Sequence, residues 1–193
     1  MNRRNVVFLV VTILGLLADQ ATKWWVVQNI SAHTGAISVI PGFFEIVHAQ
    51  NPGAAMGMFR DNPYRFQMFI AFTLVACAVI LDLFRRLPKS DAFMATTLGL
   101  IMSGALGNAV DRVKNEGHRV TDFLRFYTDN PNYRAWLSGY GLPSEYPSFN
   151  IADSALVVGV GMFLLHYMFL EEKEPEPQNR PPSPTPDAPA PTT

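Results

Sequence analysis

The chain has 193 residues, 49% of them hydrophobic and only 16% charged, with a formal net charge of −1. A single cysteine excludes an intramolecular disulfide, and four histidines (His33, His48, His118 and His166) without ligand spacing argue against a metal. The charge balance itself identifies no partner, and neither a cofactor nor a nucleic acid is expected.

Four mainly apolar runs, residues 6–27, 66–84, 92–113 and 151–170, are long enough to cross a bilayer. They predict an all-α membrane protein with four transmembrane helices, forming one domain over residues 1–170. The first run follows Arg3 and Arg4 and superficially resembles a signal peptide. It is too long, lacks an Ala-x-Ala site and is interrupted by Asp19 and Lys23, so it is expected to be retained. Asp19 and Lys23 stand one helical turn apart, on one face. They suit either an ion pair at the membrane edge, with Lys23 snorkelling outward, or support for a site. Trp24 and Trp25 suit an interfacial anchor.

The first loop contains two stretches with strand chemistry, residues 37–40 and 43–47, broken by Pro41-Gly42. A small sheet at the membrane surface is expected there. Asn51-Pro52-Gly53-Ala54-Ala55-Met56-Gly57 follows and reads as a tight turn. Its small residues would let backbone approach a ligand, with Asn51 supplying donor and acceptor; taken by itself, an ordinary turn is the preferred reading. The second run holds Cys77 as a small apolar filler. Arg85, Arg86 and Lys89 in the short connection after it, with Arg3 and Arg4, favour cytoplasmic placement of both termini. Charge alone supports this only partly, because Arg65, Arg112 and Lys114 hug helix ends on the other side.

The third run ends in Gly104-Ala105-Leu106-Gly107-Asn108-Ala109-Val110-Asp111-Arg112. Its small residues permit close helix packing in lipid, and Asn108, Asp111 and Arg112 crowd polar groups into the last turn. Beyond it, Val120-Thr121-Asp122-Phe123 opens a second outer loop that is aromatic and turn-rich. Phe149-Asn150-Ile151-Ala152-Asp153 begins the last run. Asp153 falls in its first turn, where the helix dipole favours negative charge, and Asn150 suits an N-cap. The Pro-rich tail, 171–193, is expected to be disordered.

Asp19, Asp111, Asp122 and Asp153 all fall on one side of the bilayer, and Asp82 on the other. Ionisable groups at such depth are costly and mark a pathway or a catalytic site. If Asp122 and Asp153 meet, mutual repulsion would leave one carboxyl protonated and the other charged, an acid and a base for activating water. Spacing alone does not establish that they meet.

These blocks, in this order, resemble those of the lipoprotein signal peptidases, the bacterial type II signal peptidases. The blocks are Asp19-Gln-x-x-Lys23, Asn51-x-Gly-Ala-Ala, Gly107-Asn108-x-x-Asp111-Arg112, Val120-x-Asp122-Phe123 and Phe149-Asn150-x-Ala-Asp153. The resemblance implies an aspartic endopeptidase of the inner membrane, with both termini cytoplasmic and its site near the outer surface. It would cleave diacylglyceryl-modified prolipoproteins before the lipidated cysteine. Asp122 and Asp153 would be the catalytic pair. Asn51, Gly53, Asn108, Asp111, Arg112 and Asn150 would line and order the site, supported by Asp19 and Lys23. The strand-like first loop would correspond to an extracytoplasmic β-cradle for substrate. Membrane lipid would be the other partner, and the protein would act as a monomer. Two features depart from the pattern: a long stretch between Phe123 and Phe149, and the tail. Met56 also replaces an aromatic residue often found there. The alternative readings are a proton-coupled transporter and a non-enzymatic lipid- or lipoprotein-binding protein. Acids clustered at one surface, without a discontinuous repeat pair, weigh against transport.

Overall fold

The structure, a computed structural model, describes residues 2–32, 34–53, 59 and 62–170. Four helices carry the apolar runs: α1 (Arg3–Asn29), α2 (Arg65–Arg86), α3 (Ala92–Lys114) and α5 (Ile151–Leu165), which continues as a π-helical turn, His166–Leu170. All four are long and apolar enough to cross a membrane, the last taken over Ile151–Phe169. The expected tail and Ala54, Ala55, Met56 and Gly57 of the turn motif lie outside the described residues.

α3 is the central helix. Half of its most apolar window is buried, against 6% for α2, because α1, α2 and α5 all pack on it. Glycine makes this possible where α3 meets α5 and α1. A Cβ on Gly104 would lie 2.4 Å from the carbonyl oxygen of Ala152, and one on Gly107 would lie 2.6 Å from an Asp19 oxygen. In lipid such close approach replaces the hydrophobic driving force that holds helices together in water. At one end of the bundle, Phe8 stacks on Phe84 at 4.3 Å, Arg4 lies over the same ring and donates to the carbonyl of Leu87, and Phe93 stacks on His166. The start of α1, the α2–α3 connection and the end of α5 therefore share that end. Asp82 is there too, paired with Arg86 at 2.9 Å.

The other end is capped by a three-stranded antiparallel sheet in the order β1 (Ala36–Ile40), β2 (Phe44–Asn51), β3 (Val120–Phe126). Two strands form where β-branched and aromatic runs flank Pro41-Gly42, as expected. The third is a departure from expectation, since it comes from the second loop and brings Asp122 into the sheet. β2 is also longer than its apolar pattern suggests and runs through Asn51, which pairs with Val120. Asn51 therefore ends a strand, and its Oδ1 accepts from the Gly53 N–H at 3.0 Å to start the turn. Val26 and Ile30 of α1 pack on Phe123 of β3, seating the sheet on the bundle. The long second loop forms a short helix, α4 (Pro131–Gly139), whose N-cap Asn130 accepts from Asn132 and Tyr133.

Candidate active site

Asp122 is the third residue of β3 and Asp153 the third of α5. Thirty residues lie between them, and Asn150 joins them. Its Oδ1 accepts from the Asp153 N–H at 2.9 Å, while Asp153 Oδ2 accepts from the Asn150 N–H at 3.2 Å. This reciprocal capping box satisfies two amides at the start of α5. The same Asn150 donates through Nδ2 to Asp122 Oδ1 at 2.7 Å. Asn150 is thus the N-cap, as expected, and Asp153 in the first turn completes the box. Asn150 is fully buried, so its side chain acts as an internal strut.

Two further asparagines complete the pair. Asn51 donates to Asp122 Oδ2 at 3.0 Å, and Asn108 donates to Asp153 Oδ1 at 2.7 Å. Asn108 Oδ1 in turn accepts from Lys23 Nζ and from Asn150 Nδ2, each at 3.1 Å. That arrangement fixes which end of the Asn108 amide faces Asp153. Arg112 donates to the carbonyls of Asn108 (3.0 Å) and Gly53 (3.2 Å) and stacks 4.2 Å over Phe69. It thereby ties the turn after β2 to α3. Asp122, Asp153, Asn51, Gly53, Asn108 and Arg112 all line one cavity of about 570 Å³, whose α5 wall is the apolar stretch Leu156, Val157 and Val158.

Asp19, Lys23 and Asp111 do not line this cavity. They form a buried layer behind it, with Lys23 Nζ 2.9 Å from Asp19 Oδ2 and 3.2 Å from Asp111 Oδ2. Lys23 is only 3% exposed and points inward, so the snorkelling alternative fails. The second oxygen of Asp19 accepts from the Ala152 N–H at 2.9 Å, and Asp111 Oδ2 accepts from the Thr121 N–H at 2.9 Å. One carboxylate thus grips the first turn of α5 and the other the start of β3, the two segments that carry Asp153 and Asp122. Gln20 bridges both carboxylates at 3.1 Å and also reaches the Gly107 carbonyl. Ion pairs this deep repay their desolvation only when further hydrogen bonds satisfy them, and here they do.

Sequence reasoning assigns no role to Gln20 and Thr121, which bond to this buried layer, or to Gln50 and His48, which lie behind Thr121. Gln50 donates to Thr121 Oγ1 at 3.3 Å and meets His48 Nε2 at 2.9 Å, while His48 Nδ1 reaches the Ile30 carbonyl at 2.9 Å. Gln20 and Gln50 are visible beside Asp19 and Asn51. Their roles depend on which partners the fold delivers.

The Asp122 carboxyl is pushed up to about 7 from its ordinary 3.8. Burial is the main cause, followed by the negative charge of Asp153. The hydrogen bonds from Asn51 and Asn150 and the charge of Lys23 oppose it. A carboxyl that keeps its proton near neutrality, beside a second carboxylate in an open cavity, has the composition for paired acid–base chemistry on water.

Fold and site together define a multi-pass membrane protein with paired carboxylates where its bundle meets a small sheet. The family model described as Signal peptidase (SPase) II matches residues 11–169. The lipoprotein signal peptidase of Symbiobacterium thermophilum is 37% identical over 165 residues, covering 86% of this chain and 96% of that protein. That of Geobacter metallireducens is 38% identical over 168 residues, covering 87% and 94%. A bacterial membrane enzyme solved by the in meso method at 1.9 Å superposes with a TM-score of 0.67 at 26% identity, covering 84% of this chain and 92% of that one. A second, at 2.3 Å, gives 0.64 at 28% identity, covering 88% and 94%. The chain belongs to the signal peptidase II family and is a membrane peptidase.

Proposed function

We propose that the protein removes signal peptides from diacylglyceryl-modified prolipoproteins, cutting the bond before the lipidated cysteine, with Asp122 and Asp153 as catalytic residues. The observation that carries this reading is the pairing of the two carboxylates through Asn150 at the wall of one cavity. The Asp153 carboxylate takes a proton from a water molecule, and the resulting nucleophile attacks the scissile carbonyl. Asp122 gives its proton to the carbonyl oxygen. Collapse of the tetrahedral intermediate breaks the C–N bond: one of its hydroxyls returns a proton to Asp122 as the C=O reforms, and the proton held by Asp153 passes to the leaving amine. Asn51, Gly53, Asn108, Arg112 and Asn150 order the cavity, and Asp19, Lys23 and Asp111 hold the segments that carry the pair.

A lipid-anchored substrate already lies in the bilayer, whereas hydrolysis needs water. A carboxylate pair where the helices meet the sheet serves both demands, with the apolar α5 wall facing the membrane-embedded arm. In this reading the site faces the outer surface of the inner membrane, both termini are cytoplasmic and the protein acts as a monomer. Transport is not favoured: the buried acids are tied to backbone amides at one end of the bundle rather than strung along a path.

The test is cleavage of a diacylglyceryl-modified prolipoprotein by purified protein in detergent. Wild type is expected to cut before the lipidated cysteine, while Asp122→Asn and Asp153→Asn abolish cutting and remain folded. Normal cutting by either variant would refute the assignment, and a non-enzymatic binding role would then take precedence.

A further inference from the structure

A second cavity, of about 410 Å³, lies beyond the carboxylates, where Phe43, Phe126 and Tyr146 meet Tyr133, Trp136 and Leu137 of α4. No charged side chain lines it among the described residues. Tyr133 and Trp136 are 64% and 58% exposed, so their rings are accessible at the cleft. The family reading does not require this cleft, since α4 arises from the long stretch between Phe123 and Phe149.

The two cavities share a wall, because Tyr146 lines both. Two extended segments run between them. β3 carries Asp122 and, four residues on, Phe126; the opposing segment carries Tyr146 and, four residues on, Asn150. They are stitched by Tyr146 N–H to Phe126 O (2.8 Å), Leu124 N–H to Phe149 O (2.9 Å) and Phe149 N–H to Leu124 O (3.1 Å). Phe126 stacks on Phe149 at 5.9 Å, and Tyr146 meets the edge of the same ring at 5.9 Å. Behind them Glu45 accepts from Arg125 and from Tyr127 Oη, so the cleft stands on a braced sheet. Four residues of strand span about 13 Å, so the cleft lies at that distance from the carboxylate pair.

Direction follows from the walls. Leu156, Val157 and Val158 of α5 form the apolar side of the carboxylate cavity, and the cleft lies along the sheet, away from them. A chain whose membrane-embedded arm lies along α5, with its scissile bond at the carboxylates, leaves along the sheet. We propose that the aromatic cleft under α4 binds the substrate on the carboxyl side of the scissile bond, receiving an apolar or aromatic side chain about four residues beyond it. This rests on the peptidase reading above.

The test uses the full-length protein in detergent and three diacylglyceryl-modified substrates. One ends shortly after the scissile bond. The others continue past the cleft with Phe or with Asp at the fourth residue beyond the bond. Wild type is expected to show a KM about tenfold lower for the Phe substrate than for the Asp substrate. Trp136→Ala erases that preference and leaves cleavage of the short substrate unchanged. Equal KM for the Phe and Asp substrates in wild type overturns the proposal. So does a Trp136→Ala defect equal on all three, which would make α4 a membrane anchor or a folding element. If wild type cuts no substrate at all, the peptidase reading fails and the cleft assignment falls with it.

Discussion

Gly104→Ala tests whether close packing of α3 on α5 sets the catalytic geometry. The added Cβ would sit 2.4 Å from the Ala152 carbonyl oxygen, and ordinary contact begins near 3.4 Å. Backbone cannot rotate away as a side chain can, so the helices must separate by about 1 Å at this point. Ala152 adjoins Asp153, whose Oδ1 accepts from Asn108 on α3 at 2.7 Å. A separation of that size stretches this bond to about 3.7 Å, beyond hydrogen-bond range. Misplacing a reacting group by about 1 Å costs on the order of 100-fold in rate, and overpacking costs about 1–3 kcal/mol of stability. The assay is kcat for prolipoprotein cleavage in detergent, alongside thermal unfolding. Gly161→Ala on α5 is the control, because nothing lies within 4 Å of the position its added methyl would take. A folded Gly104→Ala enzyme with kcat within twofold of wild type would refute the reasoning.

The remaining predictions concern charge. Because Asp122 titrates at about 7, kcat/KM should decline above that pH as the acid loses its proton. Asn51→Ala removes a hydrogen bond that favours the charged form, so the alkaline limb should move to higher pH in a pH–rate profile; an unmoved limb counts against Asp122 as the acid. Lys23→Met leaves Asp19 and Asp111 buried without their cation and should cost about 3–5 kcal/mol, read as a large drop in Tm. Asp19→Asn keeps an acceptor for the Ala152 amide and leaves Lys23 paired with Asp111, so its drop in Tm should be clearly smaller. Equal losses for the two would show that the ion pairs do not set the cost.

The helical architecture is legible in the sequence because crossing a bilayer imposes a length and an apolarity that can be counted residue by residue. α1, α2 and α3 exceed the expected runs by only a few residues at their ends, and α5 with its π-helical turn covers the expected 151–170. Asp19, Lys23, Asn108, Asp111 and Arg112 are legible for a related reason: polar groups in apolar runs have few uses. The strands β1 and β2 also announce themselves through β-branched and aromatic residues around Pro41-Gly42.

What only the tertiary structure decided is how distant segments meet. β3 lies in a loop whose composition suggests turns, and it becomes a strand because β2 offers it an edge. Nothing local to Asn150 shows that one side chain will cap α5 and hold Asp122, since that depends on the packing of α5 against β3. The direction of Lys23 is likewise undetermined in the sequence, as snorkelling and burial use the same residue at the same position. Burial wins because Asp19, Asp111 and Asn108 converge on its ammonium from two helices. The sequence determined which polar groups the membrane would have to accommodate; only the fold determined which of them face the cavity and which hold it in shape, because hydrogen-bond partners are chosen in three dimensions.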